Sequence, residues 1–96
     1  MNDFKLNTAL AELSLASLGD DWKVCSKGGD VVVYNSHITT IFNFNDWNLL
    51  MPLALENHIQ IYVHSKDHYN IDDNIAVHKS NVRRVIAECL SKVSTK

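Results

Sequence analysis

The tetrad Lys27-Gly28-Gly29-Asp30, set between short β-rich runs at residues 22–26 and 31–35, constrains this chain more than any other feature. Two consecutive glycines supply the positive φ that a two-residue hairpin turn needs, so the flanking runs are expected to pair antiparallel. Asn35-Ser36 can turn the chain again into residues 38–42, whose β-branched and aromatic content makes a third strand. Links this short produce a meander.

Helical periodicity brackets the meander. Leu6, Ala9, Leu10, Leu13 and Ala16 recur at steps of three and four, with Asp3 or Asn7 as N-cap and Gly19 where a left-handed C-terminal cap belongs. A second helix is expected from about Leu49, capped by Asp46 or Asn48 and ending near Asn57. That start places Pro52 in the first turn, where a missing N–H is tolerated; deeper inside, proline costs about 3 kcal/mol. The final helix follows Ser80 as cap and carries the stripe Val82, Val85, Ile86, Cys89, Leu90 and Val93.

Between these two helices Ile59, Ile61 and Val63 alternate with Gln60, Tyr62 and His64, the period of a strand buried on one face. Residues 65–74 are rich in turn formers and acids and show no period, so a surface loop is expected there, and Ile75-Ala76-Val77 can add a short strand. No repeat or linker divides the chain. The expectation is an α+β fold in one domain, residues 1–96. A small antiparallel sheet, the three-stranded meander plus a fourth strand, carries N-terminal, middle and C-terminal helices packed mainly on one face.

Composition limits the functions. With 46% hydrophobic and 21% charged residues in 96, the chain is neither disordered nor fibrous. Nine Lys and Arg against eleven Asp and Glu leave a net charge of −2, which attracts neither phosphates nor anionic lipids and argues against a nucleic-acid partner. Two cysteines, Cys25 and Cys89, are too few for a disulfide framework, so a reducing, cytoplasmic setting is expected. The first nineteen residues lack the continuous apolar stretch of a signal peptide. The longest apolar run, residues 49–55, is too short to span a membrane.

Five histidines, with Asp67, Asp72 and Asp73 near His64 and His68, raise a metal or hydrolytic site. The spacing argues against it: His64-x-x-x-His68 lacks the glutamate of a zincin and spans a strand end, where i and i+4 do not converge. The acids also lack the alternation and terminal glutamate of a calcium loop. Cys89 belongs to an apolar stripe, and Cys25 shares a strand face with Lys23 and Lys27 without a base of known position. No catalytic residue, metal or cofactor is therefore expected. Lys79, Arg83 and Arg84 form a small basic cluster suited to solvating a helix or meeting an acidic protein surface.

Partner contact is the chemistry that remains. Trp47, preceded by Phe44 and surrounded by Asn43, Asn45, Asp46 and Asn48, combines a large apolar group with hydrogen-bonding neighbours, as binding hot spots do. Tyr62 and His64 lie on the outward face of the fourth strand, expected beside the outward residues of the meander. With Asp67, Tyr69, Asp72 and Asp73 of the long segment that follows, they complete the candidate partner-binding set.

From Asn43 onward the chain resembles a group of small phage and prophage proteins, the NinX-like proteins among them. The resemblance rests on Asn43-Phe44-Asn45-Asp46-Trp47-Asn48-Leu49-Leu50-Met51-Pro52, on Ile59-Gln60-Ile61-Tyr62-Val63, and on the closing Ala87-Glu88-Cys89-Leu90. It implies a small cytosolic accessory protein made from a phage or prophage genome and binding host machinery. The expected function is non-enzymatic interaction with a host or phage protein, of which inhibition of a defence system, as anti-CRISPR proteins do, is one form. The alternatives are a homo-oligomer, a homodimer in the simplest case, joined through sheet edges, or an enzyme using His64, His68 and Asp72.

Overall fold

The structure, a computed structural model, describes residues 2–94. Its elements are α1 (Asp3–Leu18), β1 (Lys23–Lys27), β2 (Asp30–Tyr34), β3 (Thr39–Phe42), α2 (Trp47–Glu56), β4 (Ile61–Ser65), β5 (His68–Ile71), β6 (Asn74–His78), a 3-10 turn at Lys79–Asn81, and α3 (Val82–Ser94). The fold is α+β, with a three-stranded meander β1-β2-β3 as its first sheet.

Gly28 and Gly29 take φ of 59° and 86°, the doubly positive turn whose twist matches a hairpin. Asn35 closes the second link: its Oδ1 accepts the backbone N–H groups of His37 and Ile38 at 2.8 and 2.7 Å. Alternation on β2 sends Val31 and Val33 into the core. Val32 lies on the opposite face, between Cys25 of β1 and Ile41 of β3.

The fourth strand does not join this meander. β4, β5 and β6 form a second three-stranded antiparallel sheet, and residues 65–74 are its centre rather than a loop. Lys66-Asp67 and Asp72-Asp73 are two-residue turns, and the strand between them is held by Ile71, which is fully buried, and Tyr69, which packs on the core. Only four residues long and carrying a histidine and an asparagine, β5 is too short to display a period. The ladder is also irregular at His64 and opposite Asn70. β4 begins at Ile61 rather than Ile59, and Val63, expected inward, is 76% exposed at the sheet edge.

The helix ends differ in detail from their sequence signals. α1 is capped by Asn2, whose Oδ1 accepts the N–H of Lys5 at 2.9 Å, not by Asp3 or Asn7. Asn7 reaches instead across the core to accept the N–H of Phe44 at 2.8 Å. Gly19 caps α1 with the positive φ expected of it, 103°, but its ψ of 179° is extended and not that of a left-handed cap; Ala16 of the helix stripe falls outside the described side chains. α2 starts at Trp47, capped by Asp46, so Pro52 is its sixth residue and removes the bond to the Asn48 carbonyl. His78, not Ser80, caps the turn into α3, its Nδ1 accepting the Ser80 N–H at 3.2 Å.

α1 lies between α3 and the first sheet, and α3 packs on α1, α2 and the second sheet. The helices therefore form a layer serving two sheets instead of covering one face of a single sheet. Leu6, Leu10, Leu50, Ile71, Ile86 and Leu90 are fully buried in one cluster that draws on all three helices and the second sheet. Truncating such a side chain to alanine costs about 2–5 kcal/mol. No helix of the described residues is long and apolar enough to cross a membrane.

Candidate binding groove

The early start of α2 has a consequence for Trp47. As the first helical residue it is not drawn into the core; Phe44, buried before it, anchors the chain there, and Trp47 remains 40% exposed. One turn later Met51 lies on the same side of α2. Across from them stand Ile61 of β4 and Tyr69 of β5, and Val82 and Lys79 close the end. Together these six line a groove of about 340 Å³ between α2, the second sheet and the start of α3.

Two cations edge this groove. Arg83 places its guanidinium carbon 5.7 Å from the centroid of the Trp47 ring, a cation–π contact that holds the fork over the indole. Lys79 pairs with Asp67 at 3.4 Å, and its backbone N–H donates to the Asp67 carbonyl at 2.8 Å, so the β4–β5 turn and the 3-10 turn are held together. Both partners of that ion pair are largely solvated, and its strength is correspondingly small. Arg84 faces elsewhere, donating to Asp3 of α1 at 2.6 Å and pairing with Glu88 at 3.1 Å. The basic cluster of the sequence thus divides among four partners.

The candidate residues divide too. Trp47 and Tyr69 line the groove and Asp67 braces its rim. Tyr62, 60% exposed, stands opposite Asn70 on the second sheet, and His64 occupies the irregularity of β4; neither lies beside the outward residues of the first meander, which belong to the other sheet. Asp72 and Asp73 sit at the far end of β5 from Asp67. Asp72 is structural: its carboxylate accepts the Gln60 N–H at 2.8 Å while its own N–H donates to the Gln60 carbonyl at 2.8 Å.

A second pocket at that end is lined by Asn57, Asp73, Asn74, Cys89 and Lys92 among others. Burial first, and the negative charge of Asp72 second, push the Cys89 thiol above its ordinary value, so it stays protonated. Asn74 donates to its sulfur at 3.6 Å. Among the described residues no three His, Cys, Asp or Glu side chains are grouped to hold a metal ion. His68 instead packs edge-on against His78 at 5.2 Å and shares a hydrogen bond with Ser65 at 3.2 Å.

A third groove, about 300 Å³, runs between α1, the first sheet and α2, walled by Trp22, Val33, Phe42, Leu49 and Leu53. It has apolar depth but a single charged lining residue, Glu56. The groove at Trp47 joins aromatic walls to cations. Met51, Ile61 and Val82 lie outside the candidate set because they read as core; Arg83 and Lys79 belonged to the basic cluster, but nothing local tied Arg83 to Trp47, 36 residues away. Comparison with family models, with curated proteins and with solved structures finds no match to this chain.

Proposed function

We propose that this chain is a non-enzymatic binding protein that seats an apolar side chain of a partner protein in the Trp47 groove and holds an adjacent carboxylate on Arg83. The observation that carries this reading is the Arg83 guanidinium poised over the Trp47 ring, beside Tyr69 and Met51. Trp, Tyr, Met and Arg are the residues enriched where interfaces concentrate their energy. Arg83 has no acidic partner among the described residues, whereas Lys79 has one and Arg84 two. A carboxylate arriving from outside would meet a fork already oriented by the indole. Asp67, on the other rim, would repel a segment acidic throughout, which favours a single acid beside an apolar anchor.

The resemblance of the second half to NinX-like proteins supplies a setting for that activity. In it the chain is a cytoplasmic accessory protein of a phage or prophage, acting on a host or phage protein, and blocking a defence system is one form such action takes. Affinity capture from a bacterial host lysate, read by quantitative mass spectrometry, tests the reading. One protein recovered in stoichiometric amount with the wild type, and lost with both Trp47→Ala and Arg83→Glu in folded form, is the expected result. Equal recovery by folded variants would remove the groove from the function.

A further inference from the structure

The two sheets have four edges among the described residues, and three of them are guarded. β1 carries Lys23 and Lys27 at its ends, β4 is broken by the irregularity at His64, and β6 bulges at Ala76. Charges and bulges of this kind keep edges from pairing with other chains. β3 has neither. Its four residues, Thr39-Thr40-Ile41-Phe42, include no charge, no proline and no break in register with β2. Ile41 is 58% exposed and Ile38, just before the strand, 54%.

The hydrogen-bonding phase of that edge is fixed from both ends of β2. In a two-residue hairpin the residues flanking the turn form a hydrogen-bonded pair, here Lys27 with Asp30, and bonded and non-bonded pairs then alternate. Val31–Phe42 and Val33–Thr40 are consequently bonded pairs, and the backbone bond from Asn35 N–H to the Ile38 carbonyl, 2.9 Å, gives the same phase from the other turn. Thr39 and Ile41 therefore direct their N–H and C=O groups away from β2, toward the free edge. Each chain offers two donors and two acceptors there, spaced as one antiparallel partner requires.

The geometry points to a second copy of this chain as the occupant: β3 pairs antiparallel with β3 of a twofold mate, with Thr40 opposite Thr40. In that register Thr39 of each copy exchanges both bonds with Ile41 of the other, so every outward group on both edges is satisfied. The alternative centred on Ile41 matches Thr39 with Asn43, whose carbonyl already accepts the Asp46 N–H at 3.0 Å. A twofold axis normal to the sheet keeps inner faces together, so Thr40 meets its mate on the groove side and Thr39 meets Ile41 on the outer side. The two meanders become one six-stranded sheet. A net charge of −2 per chain offers little opposition, and a contact built on four residues per strand makes a weak, concentration-dependent dimer.

Sedimentation over a concentration series tests this, together with two substitutions at an exposed position. The wild type is expected to shift from monomer to dimer across roughly ten to several hundred micromolar, the range of small interfaces. Thr40→Lys sets two ammonium groups directly opposite and should weaken association by tenfold or more, with circular dichroism unchanged. Thr40→Cys, with Cys25→Ser to silence the exposed thiol, should cross-link to a covalent dimer under mild oxidation, since directly opposed positions come within reach of a disulfide. Ile38→Cys in the same background should not. A wild type that stays monomeric throughout, a Thr40→Lys protein that dimerises as before, or equal cross-linking at 38 and 40 would each overturn the assignment. Dimers abolished instead by Ile75→Lys, on the second sheet, would do the same.

Discussion

Asn70 and Ala76 are joined across the β5–β6 ladder: the Oδ1 of Asn70 accepts the Ala76 N–H at 3.0 Å, where Ala76 takes a φ of 58°. The side-chain bond replaces a ladder bond that the bulge has broken. Ala76 is exposed, so glycine there gives up no packing and relieves the left-handed strain. Ala76→Gly is expected to stabilise the protein by about 1 kcal/mol, raising Tm by roughly 4–8 °C in a domain of this size. Asn70→Ala should lower stability by about 1 kcal/mol. Thermal and urea unfolding measure both.

The paired aspartates of the β5–β6 turn should behave unequally. Asp72 holds Gln60 through two backbone-directed bonds and takes a φ of 49°, a conformation that Asn tolerates and Ala does not. Asp72→Asn is expected to be nearly neutral and Asp72→Ala to cost about 2 kcal/mol by loss of the carboxylate's bond to the Gln60 N–H and added strain. Asp73→Ala should stay within about 0.5 kcal/mol, as exposed substitutions do. Urea midpoints of the three variants separate these outcomes.

Pro52 interrupts α2 without packing to compensate, since it is exposed on the rim of the groove beside Trp22. Pro52→Ala restores the bond to the Asn48 carbonyl and is expected to stabilise by about 2 kcal/mol, less than the full helix-interior penalty because alanine also frees the unfolded chain. The gain should appear as a higher melting temperature with unchanged helix content.

Cys89 gives the protein an alkaline limit. Its folded pKa is raised above the ordinary 9.0, chiefly by burial, so the folded state favours the neutral thiol. That contribution is complete below pH 9 and is lost as pH climbs through the raised value, because the unfolded chain ionises first. Urea stability measured from pH 8 to pH 11 should fall more steeply in the wild type than in Cys89→Ala. A thiol reagent at pH 8 should label Cys25, which is exposed, and reach Cys89 only on unfolding.

Where sequence and structure agree, a strong local signal met no rival. Gly28-Gly29 left one plausible turn, and the 82–93 stripe suited only an amphipathic helix. The second sheet was illegible for the opposite reason. Its turns use Lys66-Asp67 and Asp72-Asp73 instead of glycine, its central strand holds His68 and Asn70, and the two register irregularities erase the alternation that would have marked it. What holds β5 in place is Ile71 against the core, a contact set by tertiary packing and invisible to a local window. Trp47 and Tyr69 were legible as partner candidates from residue type; their meeting in one groove depends on that same sheet.

The layer formed by α1 and α3 has a bearing on how the chain comes together. All strand pairing lies within one meander or the other, between neighbours in sequence, whereas the helix contact joins the beginning of the described chain to its end. A cut in the link between α2 and β4 would therefore leave every ladder intact and give two fragments, each a meander with its own helix still packed on it and bared only where α1 and α2 meet α3. Each would expose the helix surface that the other covers. Mixed, they would reassemble through α1 on α3 and α2 on α3, making the protein a natural two-part reporter whose signal is the docking of its helices.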